Sequence, residues 1–163
     1  MKIDFEIFNQ KVLKNKDKYF SLLSKLKTQN PADLDIQFNK SHNLAFEKID
    51  CLDCANCCKN LGPLIIQSDI KRIADFLNIS TKDFLLNYIE MDEDGDFIFK
   101  SMPCPFLNLE NNLCKIYEVR PKACSDYPHT NGKNLYKNLD ITKKNLSICP
   151  AVAEILDDLM KIY

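Results

Sequence analysis

Apolar residues in the first part of the chain recur with a helical period. Phe5, Phe8, Val12, Tyr19, Leu22, Leu23 and Leu26 fall near one stripe with Lys and Asp between them, which predicts a helix over residues 3–28. The polar stretch Lys14-Asn15-Lys16-Asp17 is a weak middle at which this helix can divide in two. Asn30-Pro31 reads as an N-cap followed by proline at the first helical position. Leu34, Phe38, Ala45 and Ile49 then mark a second amphipathic helix. Residues 1–49 thus predict a helical segment, a hairpin packed on the same domain as the rest, with no chemistry of its own. His42 within it reads as a surface or capping histidine rather than a ligand.

Gly62-Pro63 breaks the pattern, and Leu64-Ile65-Ile66 leads to Ser68 as the expected N-cap of a short helix carrying Ile70, Ile73, Ala74 and Leu77. Ser80, with Asp83 three residues on, caps another helix whose apolar face is Phe84, Leu85, Tyr88 and Ile89. Asp92 to Asp96 forms an acidic turn around Gly95. It lacks the alternating ligands and closing glutamate of a calcium loop, and Phe97-Ile98-Phe99 follows as a short strand. Residues 104–114 predict a hairpin with its tip near Leu109, which would set Cys104 opposite Cys114. Residues 129–147 are rich in Lys and Asn and read as a surface loop, the least ordered part. Cys149-Pro150 opens the last helix, with Val152, Ile155, Leu156, Leu159 and Met160 as its buried stripe.

The chain has 163 residues, enough for one compact domain with a real core. Its net charge of −1 offers no basic field for nucleic acid or an anionic membrane, and no apolar run is long enough to span a bilayer. The first residues, Met1-Lys2-Ile3-Asp4-Phe5-Glu6, carry acids early and lack a signal-peptide core, which places the protein in the cytoplasm.

That placement changes what the eight cysteines mean. In a reducing compartment thiols are kept for metal or redox chemistry rather than for structural disulfides, and a chain of this length needs no staples. Cys51, Cys54, Cys57 and Cys58 are packed into Cys51-Leu52-Asp53-Cys54-Ala55-Asn56-Cys57-Cys58. On a helix, Cys51, Cys54 and Cys58 would share a face and Cys57 would point aside. In a loop, the two-residue gaps let the sulfurs turn back on one ion. Adjacent Cys57 and Cys58 are hard to aim at one point, so one of them serves a second metal, a bridge or packing. Cys104, Cys114 and Cys124 follow at regular spacing; Pro121 suits the first turn of a short helix presenting Cys124. At a helix N-terminus the dipole would favour a Cys149 thiolate and lower its pKa.

The run CLDCANCC, then PCPFL, then CKIYEVRPKACSDYP, then a late Cys-Pro, resembles the CxxCxxCC cysteine-cluster family, also labelled YkgJ-like. That family is described as a zinc- or iron-chelating domain with eight shared cysteines. All of them are matched here by Cys51, Cys54, Cys57, Cys58, Cys104, Cys114, Cys124 and Cys149. Tyr117-Glu118-Val119-Arg120-Pro121 matches the phrase between the family's sixth and seventh cysteines. Ala55 stands where members often have glycine, a departure that bears on loop geometry rather than on ligands. The resemblance covers roughly residues 50–150. It implies a metal ion as the partner. The flagellin lysine methylase carries a similar cysteine pattern, so an enzymatic role stays open.

The metal is open between zinc and iron. Cys-x2-Cys-x2-Cys with a distant Cys-Pro is similar to bacterial ferredoxin spacing and favours an iron–sulfur cluster. A Cys-x2-Cys joined by a cysteine pair from a hairpin is similar to structural zinc, although the second half is not Cys-x2-Cys. Four thiolates around zinc carry a net charge of about −2, which Lys59, Lys115, Arg120 and Lys122 can offset. Arg120 could instead pair with Glu118 or Asp126. No glycine-rich cofactor loop, HExxH or Ser/His/Asp arrangement is present. Acid–base work in an enzyme would fall to carboxylates, Tyr117, Tyr127 or His129, and His129 is more commonly a solvated loop residue.

The sequence therefore predicts a mostly α fold with a small β-hairpin, a single compact metal-centred domain with residues 50–163 as its cysteine-cluster part. It predicts a cysteine-ligated zinc- or iron-binding protein. Two alternatives stand beside it: an iron–sulfur enzyme of redox or methyl-transfer type, and a thiol–disulfide switch built on Cys57 and Cys58.

Overall fold

The structure is a computed structural model and describes residues 3–163; Met1 and Lys2, part of the stretch read above for a leader, lie outside the described residues. In chain order the helices are α1 (Phe5–Gln29), α2 (Leu34–Phe46), α3 (Cys51–Cys54), α4 (Asn56–Asn60), α5 (Gln67–Phe76) and α6 (Thr81–Tyr88). Two strands follow, β1 (Ile89–Met91) and β2 (Phe97–Phe99), and then α7 (Lys122–Asp126), α8 (Leu139–Asn145) and α9 (Pro150–Leu159). The fold is mostly helical with one small antiparallel sheet, as the hydrophobic pattern predicts. No described helix is long and apolar enough to cross a membrane.

The chain forms two compact units, and the boundary between them falls inside the cysteine run. One is Met1–Cys54, as far as it is described, with Pro128–Tyr163. The other is Ala55–Tyr127.

In the first unit α1 is a single helix. Asp4 caps it by accepting from the backbone N–H groups of Glu6 and Ile7, and the helix runs unbroken through Lys14–Asp17. Its stripe of Phe8, Val12, Tyr19, Leu22, Leu23 and Leu26 is buried. Lys11 bridges Glu154 and Asp157 of α9, and the Tyr19 hydroxyl donates to Asp157 at 2.7 Å. Asn30 ends α1 in the left-handed region (φ 41°) instead of capping the next helix. Asp33 stands at the N-cap of α2.

The polar stretch 129–147 is not a loose loop. It holds a 3-10 turn (Leu135–Asn138) and α8, with Leu135, Leu139, Thr142, Asn145 and Leu146 buried. Bonds to α2 fix it: the Asp35 carboxylate accepts from the N–H groups of Asn134 and Leu135, and Asn39 pairs twice with the Gly132 backbone. Its sparse leucines and these remote bonds together override a local composition that reads as loop.

The second unit is built on a core of Ile65, Ile70, Ile73, Ala74, Phe84, Ile89, Phe99, Phe106 and Ile116, with Cys104 and Cys114 packed against it. The N-cap of α5 is Ile66, not Ser68: the Asp69 carboxylate accepts from the Ile66 N–H at 3.2 Å. Ser80 caps α6 as expected, accepting from the Asp83 N–H. Ile89 leaves the helix and pairs with Phe99 in the sheet, so the hairpin lies around the acidic 92–96 turn.

Candidate metal centre

None of the eight cysteines is in a disulfide. In the first unit, α3 is one turn with Cys51 and Cys54 at its ends, opened by Asp50, whose carboxylate accepts from the Leu52 N–H at 2.8 Å. Residues three apart share a helix face. Cys51 is exposed and Cys54 buried. Cys149 is the N-cap of α9, buried, with its N–H donating to the Asn145 carbonyl at 2.8 Å.

The helix N-terminus does not lower the Cys149 pKa. Burial pushes the thiol up to about 12 and outweighs the Val152 and Ala151 N–H groups that favour the thiolate; Cys51 and Cys54 push the same way as burial. Desolvation wins because the sulfur is almost fully removed from water. The cysteine contribution also shows that Cys51 and Cys54 both lie within electrostatic reach of Cys149.

In the second unit, Ala55 sits in the left-handed region (φ 48°) just before α4, which carries Cys57 and Cys58. Their sulfurs are 3.9 Å apart. That contact is the main reason the Cys58 pKa falls to about 7, with its own backbone N–H and Lys59 helping against burial. The Cys104 N–H donates to the Cys58 carbonyl at 2.8 Å, tying the two ligand candidates through the main chain.

The expected opposition of Cys104 and Cys114 is replaced by a bridge between Leu107 and Cys114. Leu107 closes a turn by donating to the Cys104 carbonyl at 3.0 Å. Asn108 donates to Leu113 and Lys115 to Phe106 across the loop. A turn at 104–107 takes up the residues that would have put Cys104 in the pairing register, and Leu107 takes that place.

Cys124 rides on α7, where its N–H donates to the Pro121 carbonyl at 2.9 Å. The anchor of this segment is Asp69, fully buried, which no motif points to. Its carboxylate accepts from Arg72 at 2.6 Å and from the Lys122 N–H at 3.2 Å, and Arg72 donates in turn to the Arg120 carbonyl at 2.9 Å. An Asp three residues before an Arg, within an apolar helical stripe, is the trace this hub leaves in the sequence.

Burial raises the pKa of Cys104 to about 11 and of Cys124 to about 12, and raises that of Cys114. Thiolate charge adds to each: Cys58 and Cys114 act on Cys104, Cys58 acts on Cys114, and Cys58, Cys104 and Cys114 act on Cys124. Every pairing among Cys58, Cys104, Cys114 and Cys124 is thus within electrostatic reach. Arg120 opposes the rise at Cys114 and Cys124. Its guanidinium lies 4.0 Å from the Tyr117 ring and donates to the Tyr117 carbonyl. Lys122 is engaged with Asp126 at 2.6 Å, whereas Arg120 and Lys59 act on the thiols.

Among the described residues no three or more His, Cys, Asp or Glu side chains stand in a metal-holding arrangement. The donor chemistry suits zinc or iron: it is a set of soft thiols, none in a disulfide and most of them shielded from water.

Both histidines belong to the first unit. His42 Nδ1 is 2.9 Å from the Thr130 hydroxyl, and its ring packs on Phe46. His129 is half-buried with φ 64°, and its carbonyl accepts from Asn138. Tyr127 is half-buried.

Residues 50–150 match the CxxCxxCC family, described as "Putative zinc- or iron-chelating domain". An uncharacterized protein of Methanocaldococcus jannaschii, MJ0661, is 32% identical over 89 residues. The match covers 51% of this chain and 48% of that protein, so the chain spans about half the length of this curated relative. No solved structure matches the chain.

Proposed function

Because this chain belongs to the CxxCxxCC family of zinc- or iron-chelating domains, we propose that it is a metal-binding protein whose cysteine thiolates hold zinc or iron. The observation that carries this reading is that all eight cysteines are free of disulfides, seven of them within the 50–127 stretch of the residues that match the chelating family. Burial keeps the protons on Cys104, Cys114 and Cys124, and a divalent ion would displace those protons and stabilise the thiolates. The ion supplies a positive centre that cross-links distant parts of the chain. The chain's own residues do the rest. The Cys104–Cys58 main-chain bond and the Asp69–Arg72 hub hold ligand-bearing segments, and Arg120 and Lys59 offset thiolate charge. A cytoplasmic setting, which keeps thiols reduced, belongs to the same proposal.

The contact between the Cys57 and Cys58 sulfurs, at 3.9 Å, favours a thiol–disulfide switch as the second reading. The test is metal and acid-labile sulfide content, with a visible spectrum, on protein purified without oxygen. Zinc without colour, or iron with or without sulfide, supports the proposal and identifies the metal. Neither metal, with thiols that oxidise in pairs, overturns it in favour of the switch.

A further inference from the structure

We propose that Asn131 is a site of self-modification, deamidating through a cyclic imide to aspartate and isoaspartate, and that Asn39 gates the reaction by holding the Gly132 nitrogen that must attack.

The chain has three glycines, and Gly132 is the one that follows an asparagine. With no Cβ, glycine leaves the ring closure uncrowded. Asn131 and Gly132 are both exposed, and nothing lies within 4 Å of where a Cβ on Gly132 would stand. Solvent base and water therefore reach the reacting atoms.

The restraint comes from α2. The Gly132 N–H donates to Asn39 Oδ1 at 2.8 Å, and Asn39 Nδ2 donates to the Gly132 carbonyl at 2.8 Å. A nitrogen whose proton is held by an acceptor gives it up slowly, and the two bonds together fix Gly132 in place. Beyond it, the Asp35 carboxylate holds the N–H groups of Asn134 and Leu135 at 2.7 and 2.8 Å. Before it, the buried Thr130 sets its hydroxyl 2.9 Å from His42 Nδ1. Asn39 and His42 both belong to α2, so Asn131 lies between two anchors on one helix.

When local opening releases Asn39, the Gly132 nitrogen loses its proton to solvent base and attacks Asn131 Cγ. An N–Cγ bond forms, the Cγ–Nδ2 bond breaks, and the amide takes up a proton and leaves as ammonia. Water then opens the imide at either carbonyl, and no oxidant or reductant is consumed. Isoaspartate carries the main chain through its side-chain carbon. It therefore adds one backbone atom between Thr130 and Gly132, which the fixed anchors on α2 cannot accept. The grip of Asn39 and Asp35 on 132–135 is lost, and the change does not reverse.

The test incubates the full chain under mildly alkaline conditions and reads conversion at Asn131 by peptide mapping with mass spectrometry. Folded wild type should convert about tenfold more slowly than the same chain unfolded in urea, and folded Asn39→Ala should recover most of that factor. Leu22→Ala, which destabilises the same unit from within α1, should convert like wild type. No conversion at Asn131 in the unfolded chain overturns the site. Equal rates in folded and unfolded wild type, an Asn39→Ala rate no faster than wild type, or equal acceleration by Leu22→Ala each overturn the gate. Where Asn39→Ala does not fold, hydrogen exchange at the Gly132 amide of folded wild type decides: protection supports the gate, and exchange at the unfolded rate overturns it. The separated isoaspartyl chain should exchange its Asn134 and Leu135 amides faster than the unmodified one; equal exchange overturns the release.

Discussion

The backbone N–H of Cys104 donates to the carbonyl of Cys58 at 2.8 Å, so two thiols far apart in sequence are registered by main chain rather than by side chains. A serine at position 104 keeps that bond and removes only the sulfur. Cys104→Ser should therefore lose bound metal without a change in the main-chain register. A structural zinc is worth roughly 10–16 kcal/mol in finger peptides, so the loss should also appear as a large drop in thermal midpoint. Metal stoichiometry and circular dichroism on the same sample check both halves. Unchanged stoichiometry would remove Cys104 from the ligand set.

Asp69 is fully buried and holds the Ile66 N–H, the Lys122 N–H and the Arg72 guanidinium. Removing one partner of a buried ion pair costs about 3–5 kcal/mol, because the other is left uncompensated. Arg72 is partly exposed, its side chain 40% accessible, so water takes up part of the deficit and the lower end applies. Asp69→Ala should cost about 3 kcal/mol in urea unfolding. Arg72→Met leaves the fully buried Asp69 carboxylate with only its backbone donors and no counter-charge, so it should cost a comparable amount. A cost below about 1 kcal/mol for Asp69→Ala would contradict the hub.

The elements legible in the sequence are those whose signal is local. The stripe from Phe8 to Leu26, the Ser80 cap and the Cys149-Pro150 start of α9 stand where the pattern puts them. Asn30 illustrates the limit: an asparagine before Pro31 fits both a left-handed helix end and an N-cap, and the backbone takes the first. The order of 129–147 comes from Asp35 and Asn39, far back on α2, which no window over that stretch can contain. The Cys104–Cys114 register escapes a reading by spacing because equal intervals between cysteines say nothing of a turn that consumes residues 104–107. Cysteine types and spacing identify the donor chemistry. Grouping by unit needs the fold, because Cys54 and Cys57 are close neighbours in sequence yet belong to different units.

Ala55 is a buried non-glycine residue at φ 48°, at the N-cap of α4. The left-handed region costs an L-residue about 1–2 kcal/mol, which glycine escapes. Against this, glycine gives up a small buried methyl and gains unfolded-state freedom. The balance predicts that Ala55→Gly is stabilising by about 0.5 kcal/mol, and that Ala55→Val, with a branched Cβ in the same conformation, is strongly destabilising. Denaturant midpoints of the two variants, measured beside the wild type, check the order Gly above Ala above Val. Any other order would mean that packing of the Cβ, not backbone strain, governs this position.

His42 supplies a pH dependence that is separable from the thiols. Burial holds its pKa below the ordinary 6.5, because the half-buried ring between Thr130 and Phe46 resists taking a charge. The unfolded chain then binds a proton that the folded chain refuses, so the unfolded state holds more protons as pH falls below 6.5. Stability is therefore full above that value and declines as pH falls from there through the depressed folded pKa. Asp33 and Asp140, also lowered from their ordinary value of 3.8, contribute their own loss in a more acidic window. His42→Gln keeps a hydrogen-bonding side chain beside Thr130 and removes the titration. Urea midpoints taken from about pH 7.5 to about pH 5 should fall for the wild type and fall less for His42→Gln. Equal slopes in the two proteins would show that the imidazole is solvated in the folded state and that burial does not control its charge.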